Sequence, residues 1–368
     1  MDKDRIVLFY PYIPEAAKNR ARHTLDTRWI GQGPQVDEFE KLFEEKISNP
    51  HKAIAVNAGT SSLHLSYILA GIKEGDEVIT PVFSCSATHT PLKYLGAKVL
   101  FADIQKNTLN IDPKSVERLM NPKVKAIVCT HYGGLPCDMD ELQAIADKWG
   151  VPIIEDAAQA IGATYKGKTI GTISDFTAFS FQAVKILTTV DGGMMTIKDS
   201  TLEDKAKRIR WFGIDRKAKF EDRWLKDITE TGYKYQMTDV SAGMGIEALK
   251  ILPETLKHYR EMFEYYKKEL ANIPGITFIG EAPDRQSSCW LATTIVENRV
   301  GLKKALADNN IESDPVHYRC DRYSFLGGRS KTCPNMDYLE DKYLVLPMHY
   351  FMTLENIDRV INVIRKGW

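Results

Sequence analysis

The 368-residue sequence has few cysteines, and their arrangement argues against two classes of cross-linked site. There are six, scattered along the chain: Cys85, Cys129, Cys137, Cys289, Cys320 and Cys333. No two of them form a Cys-x-x-Cys pair, which argues against a zinc site, and their spread argues against a disulfide framework. We therefore expect no metal and reduced thiols, as in a cytoplasmic protein.

The sequence also lacks an excess of either charge and a long hydrophobic run. Lysine and arginine together number 49, as do aspartate and glutamate, so the formal net charge is zero. A nucleic-acid partner is therefore not expected. No apolar stretch approaches the ~20 residues needed to cross a bilayer, so no membrane contact is expected either. The charged start, residues 1–5, does not resemble a signal peptide.

Between about residues 50 and 200, short apolar runs alternate with amphipathic stretches. Seven runs are typical of buried strands: Ala53–Val56, Glu77–Thr80, Lys98–Phe101, Ala126–Cys129, Pro152–Glu155, Thr177–Phe181 and Met194–Ile197. Helix candidates between them include Ser61–Ala70 and Met139–Trp149, each followed by a glycine. This alternation predicts an α/β fold with a mostly parallel seven-stranded sheet flanked by helices. The last two runs are too close for a crossover helix, so one of them should run antiparallel.

From about residue 250 the pattern changes to that of a long helix. Five residues recur at helical spacing: Leu256, Tyr259, Phe263, Tyr266 and Leu270. This stripe predicts an amphipathic helix whose aromatic side chains pack in a core. Because the chain is too long for one small core, we expect two domains. These are a large domain over residues 1–250, N-terminal segment included, and a smaller C-terminal α+β domain over residues 251–368.

The chemically informative segment covers residues 154–193. Asp156 stands at the end of a buried strand, where ligands of open α/β sheets bind. Lys185 follows a later strand, and Gln159 and Ser180 lie between the two. Each residue alone has an ordinary explanation, as a cap or a solvated charge. Together they match what pyridoxal phosphate (PLP) requires: a lysine for the Schiff base and a carboxylate that keeps the pyridine nitrogen protonated.

Each residue of this set has a predicted role. Lys185 carries the cofactor, Asp156 faces the ring nitrogen, Gln159 donates to the ring hydroxyl and Ser180 binds the phosphate. Upstream, Gly59 and Thr60 join a strand to a helix, whose N-terminal amides form a further anion site. His131, near another strand end, is a second candidate for a cofactor-facing residue, although a hydrogen-bonded core histidine is the simpler explanation.

With these residues, the chain resembles the DegT/StrS-type sugar aminotransferases, which are PLP enzymes of the aspartate-aminotransferase fold (fold type I). The likeness extends in ordered blocks over nearly the whole length. The blocks are Trp29–Pro34 with Phe39 and Glu40, Asn57–Ser61, Gly75–Ile79, Asp103 with Asn110–Asp112, Pro136–Asp140, Glu155–Gln159, Ser180 and Phe181 through Lys185, Gly232–Tyr235, Met237–Asp239 and Leu346–Met348.

The resemblance implies an enzyme that moves an amino group from L-glutamate, which becomes 2-oxoglutarate, onto a keto sugar. The most common substrate in the family is a nucleotide-linked 4-keto-6-deoxyhexose, aminated for cell-surface polysaccharide such as lipopolysaccharide O-antigen. A homodimer with shared active sites is also implied, in which Lys234 reaches the partner's cofactor phosphate. Trp29, His317 and Tyr318 are the implied substrate-binding residues.

Three positions depart from the family pattern. Lys234 replaces the usual asparagine, and its ammonium can still pair with phosphate as a point charge. Cys85 replaces an aromatic residue that stacks on the cofactor ring, so ring packing is expected from another side chain such as Phe83 or His89. The family's His-Tyr-x-x-x-His pattern keeps its first two residues but has Arg322 in place of the second histidine, which indicates an unusual substrate.

Other functions fit the sequence less well. PLP-dependent sugar dehydratases of the same family replace the lysine by histidine, so Lys185 argues against them. A PLP-binding regulatory protein without turnover would not need the whole predicted cofactor set. For the substrate, a 3-keto sugar nucleotide and a nucleotide-free keto-octulosonate are the alternatives.

Overall fold

The computed structural model describes residues 4–218, 220–280 and 282–368. The helices are α1 Glu15–Leu25, α2 Pro34–Phe43, α3 Gly59–Leu69, α4 Thr90–Tyr94, α5 Pro113–Leu119, α6 Met139–Trp149, α7 Glu203–Ile209, α8 Phe220–Arg223, α9 Asp239–Lys250, α10 Leu252–Leu270, α11 Arg299–Asp308, α12 Pro334–Leu339 and α13 Leu354–Arg365. The strands are β1 Lys52–Val56, β2 Glu77–Pro81, β3 Phe83–Ser84, β4 Lys98–Ala102, β5 Val124–Thr130, β6 Ile153–Asp156, β7 Thr164–Tyr165, β8 Lys168–Thr169, β9 Phe176–Ser180, β10 Gly193–Ile197, β11 Ile276–Phe278, β12 Arg285–Gln286, β13 Ala292–Val296, β14 Tyr318–Arg319 and β15 Tyr343–Leu346.

A seven-stranded sheet lies at the centre of the fold, in the order β1-β10-β9-β6-β5-β2-β4. β10 runs antiparallel to both of its neighbours, whereas the other adjacent strands are parallel. Each of the seven predicted runs is one of these strands. The predicted α/β fold with a mostly parallel sheet is therefore confirmed, together with an antiparallel strand among the last two.

Hydrophobic layers cover both faces of this sheet. Along β1, Ile54 and Val56 pack in the same layer as Leu63 of α3. Ala53 and Ala55 of the same strand belong to the core on the opposite face. Alternate residues of a strand point to opposite faces, so an apolar run without polar interruption is what a sheet buried on both sides requires.

The C-terminal part contains a smaller antiparallel sheet, in the order β11-β13-β15. The predicted amphipathic helix is α10, and all five residues of its predicted stripe are buried. Short strands connect this part to the loops of the large sheet, since β12 pairs with β7 and β14 with β3. The N-terminal segment also reaches it, through a bridge between Ile6 and Ile311. The domain boundary at residue 250 stays a prediction.

No helix within the described ranges is long and apolar enough to span a bilayer.

Candidate active site

Lys185 lies in the loop between β9 and β10, on the side of the sheet where the parallel strands end. Its Nζ atom is 3.7 Å from the centre of the Trp290 ring. This tryptophan is buried, and its indole Nε1 donates a 2.9 Å hydrogen bond to the carbonyl of Val184. Burial lowers the pKa of Lys185 to about 8, although Asp156 and Cys85 act to raise it. Far more of this amine is therefore neutral near pH 8 than in an exposed lysine.

Asp156 ends β6 and is buried. Its Oδ2 accepts a 2.6 Å hydrogen bond from the hydroxyl of Thr88, and its Oδ1 accepts a 3.1 Å bond from the amide of Ala158. Burial raises the pKa of Asp156, while these two hydrogen bonds and the charge of Lys185 partly offset that rise. A buried carboxylate in the field of a lysine amine matches the arrangement that a protonated pyridine nitrogen needs.

Gln159 connects the loop after β6 with the loop before β14. Its Oε1 accepts a 2.7 Å hydrogen bond from the amide of Gly133, so its Nε2 is the donor towards His317 Nε2, 3.1 Å away. The histidine nitrogen is therefore an acceptor, which places its proton on Nδ1. Burial and the charge of Lys185 lower the pKa of His317 to about 3, in agreement with a neutral ring. The second amide hydrogen of Gln159 is not used in this contact.

Ser180 and Gly59 meet where the end of β9 touches the start of α3. A Cβ atom on Gly59 would lie 2.7 Å from the Cβ of Ser180, so glycine alone fits this contact. Ala58 stands at the N-cap and has no side-chain group to cap the first amides of α3, which include that of Thr60. Uncapped amides at a helix N-terminus, beside a serine hydroxyl, fit a phosphate. The residues present at this edge of the sheet thus suit each part of PLP.

The backbone of Lys234, rather than its side chain, lies beside the N-terminus of α3. Its carbonyl accepts a 3.1 Å hydrogen bond from the side-chain Nδ2 of Asn57. The side chain is exposed, with Nζ 5.9 Å from the ring centre of Phe212. A role towards the partner's phosphate stays a prediction.

Trp29 lies in the loop between α1 and α2 and is 44% exposed. The guanidinium of Arg28 sits 5.0 Å from its ring centre. The ring lines a surface cavity of about 670 Å³ together with Arg216 and other basic side chains. The substrate role of Trp29 also stays a prediction.

One departure from the family pattern, Cys85, lies close enough to Lys185 to raise the pKa of its amine. Cys85 directly follows β3 and is partly exposed. Phe83 packs between the rings of Tyr132 and Tyr343, with ring centres 4.9 and 4.8 Å apart, and so belongs to the core. His89 is likewise buried and donates a 3.1 Å hydrogen bond to the carbonyl of Pro81. The aromatic side chain in contact with Lys185 is Trp290, which sequence reasoning missed.

Tyr318 and Arg322 contact each other at the rim of the site. The guanidinium carbon of Arg322 lies 5.0 Å from the Tyr318 ring centre, and both side chains are exposed. Tyr318 is placed by β14, whose partner strand β3 ends one residue before Cys85. Arg322 thus lies against the ring of Tyr318, close to Cys85, the position where the family has an aromatic residue.

His131 is hydrogen-bonded through both ring nitrogens. Its Nε2 donates to Glu155, 2.7 Å away, and its Nδ1 accepts a 3.1 Å bond from the amide of Cys137. The sulfur atoms of Cys129 and Cys137 lie within 4.8 Å of each other and of a ring nitrogen of His131. The lone pair that a metal ion would need is already engaged by the Cys137 amide. His131 is therefore a core histidine in this fold.

Comparison with known proteins identifies the family of this chain. Residues 11–365 match the DegT/DnrJ/EryC1/StrS aminotransferase family. The spore coat polysaccharide biosynthesis protein SpsC of Bacillus subtilis is 35% identical, over 97% of this chain and 96% of its own length. GDP-perosamine synthase of Escherichia coli O157:H7 is 34% identical over 85% of each chain.

Solved structures agree as well. The sugar aminotransferase CalS13 from Micromonospora echinospora superposes with a TM-score of 0.93 at 30% identity, over 98% of this chain and 99% of that one. The Spr1654 aminotransferase from Streptococcus pneumoniae, in its PLP form, has a TM-score of 0.90 at 28% identity and covers 98% of each chain. The chain therefore belongs to the DegT/DnrJ/EryC1/StrS aminotransferase family, and it is a PLP-dependent sugar aminotransferase.

Proposed function

We propose that this enzyme transfers the amino group of L-glutamate to the ketone of a nucleotide-linked 4-keto-6-deoxyhexose. The observation that carries the proposal is the Lys185 amine, which lies over Trp290 in the field of Asp156 with a pKa lowered to about 8. When bound, PLP supplies an electron sink for the charge that develops at the reacting carbon. The Lys185 amine accepts the proton that leaves the α-carbon of glutamate and later delivers a proton to the sugar carbon.

The other residues of the site hold and orient the cofactor in this proposal. Asp156 keeps a positive charge at the ring nitrogen. Gln159 uses one amide hydrogen for His317, which leaves the second for the ring hydroxyl. Ser180 and the first amides of α3, at Gly59 and Thr60, bind the phosphate.

A basic cavity supports the nucleotide linkage. Arg216, which lines the cavity beside Trp29, donates to the carbonyl oxygen and the side-chain oxygen of Gln32, at 3.2 and 3.3 Å, rather than to a carboxylate. Burial lowers the pKa of Arg216, and the charges of Arg223 and Arg210 lower it further. Six basic and three acidic side chains line the cavity, and this excess of positive charge favours an anion such as a diphosphate. The name of one relative, GDP-perosamine synthase, also supports a nucleotide-linked sugar.

Exposed apolar side chains around the same cavity support a homodimer. The exposed fractions are 44% for Trp29, 52% for Ile30, 61% for Trp224, 84% for Leu225 and 50% for Ile228. Side chains of this size on two neighbouring loops are typical of a surface that a second subunit covers. We propose that the partner subunit covers them and that Lys234 contributes to the partner's phosphate site.

The cellular role follows from the same family. SpsC, by its name a protein of spore coat polysaccharide biosynthesis, supports a part in making amino sugars for surface polysaccharides. All six cysteines are thiols, which supports a cytoplasmic location.

The test is a transfer assay with nitrogen-15 glutamate and a panel of keto sugars, read by mass spectrometry. The panel contains nucleotide-linked 4-keto-6-deoxyhexoses, their 3-keto isomers and a nucleotide-free keto-octulosonate. We expect the label in a 4-keto sugar nucleotide with wild-type enzyme and in no product with Lys185→Ala. Label in a 3-keto sugar alone, or in the octulosonate alone, would contradict the proposed substrate. No label in any sugar would contradict the proposed reaction.

A further inference from the structure

A row of three buried hydroxyl groups leads to the carboxylate of Asp156. Thr88 Oγ1 lies 2.6 Å from Asp156 Oδ2, and Ser84 Oγ lies 2.7 Å from Thr88 Oγ1. Thr130 Oγ1 is 3.1 Å from Ser84 Oγ. All three residues are at most 2% exposed, so water cannot replace these contacts.

The direction of the hydrogen bonds follows from the carboxylate. An ionised carboxylate only accepts hydrogen bonds, and each hydroxyl has one hydrogen to donate. Thr88 must therefore donate to Asp156, which leaves Ser84 as the donor to Thr88 and Thr130 as the donor to Ser84. Every hydroxyl dipole in the row then points towards the negative charge, and hydrogen bonds in such a chain strengthen one another.

The backbone holds Thr88 in this position. The residue ends a short 3₁₀ turn, Ser86–Thr88, that follows β3. Its carbonyl accepts a 2.7 Å hydrogen bond from the buried hydroxyl of Tyr67, and its amide donates to the carbonyl of Cys85. Thr130 ends β5, next to β6 in the sheet, where it pairs with Asp156. The row thus links three segments that all border the site.

We propose that Thr88 is a positioning residue whose hydroxyl, oriented by Ser84 and Thr130, keeps Asp156 ionised and aimed at the ring nitrogen of the cofactor. This inference rests on the proposed role of Asp156. Burial in the sheet destabilises the ionised carboxylate of Asp156, and the hydrogen bonds from the row of hydroxyls offset that destabilisation. The other titratable groups that act on Asp156 or feel its charge are Lys185, His131, Tyr67 and Cys129.

The test compares Thr88→Val, which keeps the shape and loses the hydroxyl, with Thr88→Ser, which keeps the hydroxyl. In cofactor-free protein with carbon-13 in its aspartate carboxyls, the Asp156 signal is assigned by its loss in Asp156→Asn. We expect Thr88→Val to raise the pKa of Asp156 by roughly one to two units and Thr88→Ser to restore it. In the holoenzyme, the acid limb of the kcat profile should move up in pH, with KM for glutamate little changed.

A matched control and a double variant sharpen this test. Thr90→Val removes a hydroxyl from the same segment, but that hydroxyl bonds only to the carbonyl of Ser86, so the pKa of Asp156 should not move. Ser84→Ala should raise the pKa of Asp156 less than Thr88→Val does. In the double variant the pKa of Asp156 should equal that in Thr88→Val alone, because Ser84 acts through Thr88. Ser84→Ala also serves if Thr88→Val does not fold.

Two results would overturn the inference. One is an Asp156 pKa in Thr88→Val equal to that of the wild type; the other is a full additive effect of Ser84→Ala on top of Thr88→Val. A different result concerns the proposed function instead: if Asp156→Asn retains full transamination activity, the role of Asp156 itself fails, whatever Thr88 does.

Discussion

At the scale of single residues, opposing influences on the pKa of Lys185 decide how the site can react. Burial disfavours the ammonium form, while the negative charge of Asp156 favours it. Burial prevails, and the pKa falls from 10.5 to about 8. The amine is thereby a competent nucleophile and proton acceptor near physiological pH.

The pH dependence of cofactor uptake follows from that pKa. Only the neutral amine attacks the PLP aldehyde, and lowering the pKa makes the neutral form abundant at a lower pH. In cofactor-free enzyme, the rate of PLP attachment should rise about tenfold per pH unit and level off above pH 8. Absorbance after rapid mixing measures this rate. A small-molecule lysine amide, as control, should keep gaining rate up to about pH 10; the same profile in the enzyme would contradict the lowered pKa.

At the scale of elements, the contact between β9 and α3 is the basis of the proposed phosphate site. The two elements approach so closely at Ser180 and Gly59 that a single added carbon atom collides. This proximity is what brings a side-chain hydroxyl next to the amides of a helix N-terminus. The phosphate site is therefore a property of the packing of two elements rather than of one loop.

Gly59→Ala tests that packing. The new Cβ would lie 2.7 Å from the Cβ and 3.2 Å from the Cα of Ser180, so strand and helix must move apart. We expect PLP to bind about tenfold more weakly or worse, because overpacking of this kind typically costs ~1–3 kcal/mol. Fluorescence titration of cofactor-free protein measures the affinity. Gly31→Ala is the matched control, since its Cβ would meet no atom within 4 Å. Equal PLP affinity in both variants would argue against the close contact as the basis of the site.

The strands, helices and some site residues could be predicted from the sequence, whereas contacts between distant positions could not. Continuous apolar runs are sufficient to locate strands buried on both faces, and the α6 bounds Met139–Trp149 followed from helical periodicity and Gly150. Lys185, Asp156, Gln159 and Ser180 are candidates because one short segment contains the groups that PLP chemistry requires. Trp290 was missed because its contact with the lysine loop joins positions 106 residues apart, and no local spacing records such a contact.

Thr88 is a second residue whose contact could not be predicted from the sequence. A threonine after a strand has no chemical signature of its own, and its importance depends on a hydrogen bond to a residue 68 positions away. Phe83 and His89 were proposed to pack on the cofactor ring because they flank Cys85 in sequence. In the folded chain both side chains are buried in the core.

At the scale of the whole molecule, the proposed homodimer would divide each active site between two chains. This assembly would bury the exposed apolar side chains of Trp29, Ile30, Trp224, Leu225 and Ile228. Lys234 lies on the same stretch of chain, close to the N-terminus of α3 through its backbone, and its side chain extends into solvent in the single subunit.

Mixing two defective variants tests whether Lys234 acts across the interface. Lys234→Ala should weaken PLP retention about ten- to hundredfold, because an ammonium–phosphate hydrogen bond is worth ~1.5–3 kcal/mol. A mixed dimer with Lys185→Ala holds one site without either change and one site with both. Transamination at low PLP should therefore rise once the subunits exchange. Lys304→Ala, at an exposed lysine of α11, should retain PLP normally. No gain from subunits shown to exchange would mean that Lys234 acts within its own chain or not at all.

The central claim is that Lys185 is the lysine that holds the cofactor, and peptide mapping of the reduced holoenzyme tests it most directly. Borohydride fixes PLP to the amine that carries it, and mass spectrometry of the digested protein then identifies the modified lysine. We expect one PLP per subunit on Lys185, and in Lys185→Ala a folded protein without the label and without amino transfer. A label on any other lysine of the wild-type enzyme, or amino transfer by Lys185→Ala at the wild-type rate, would contradict it.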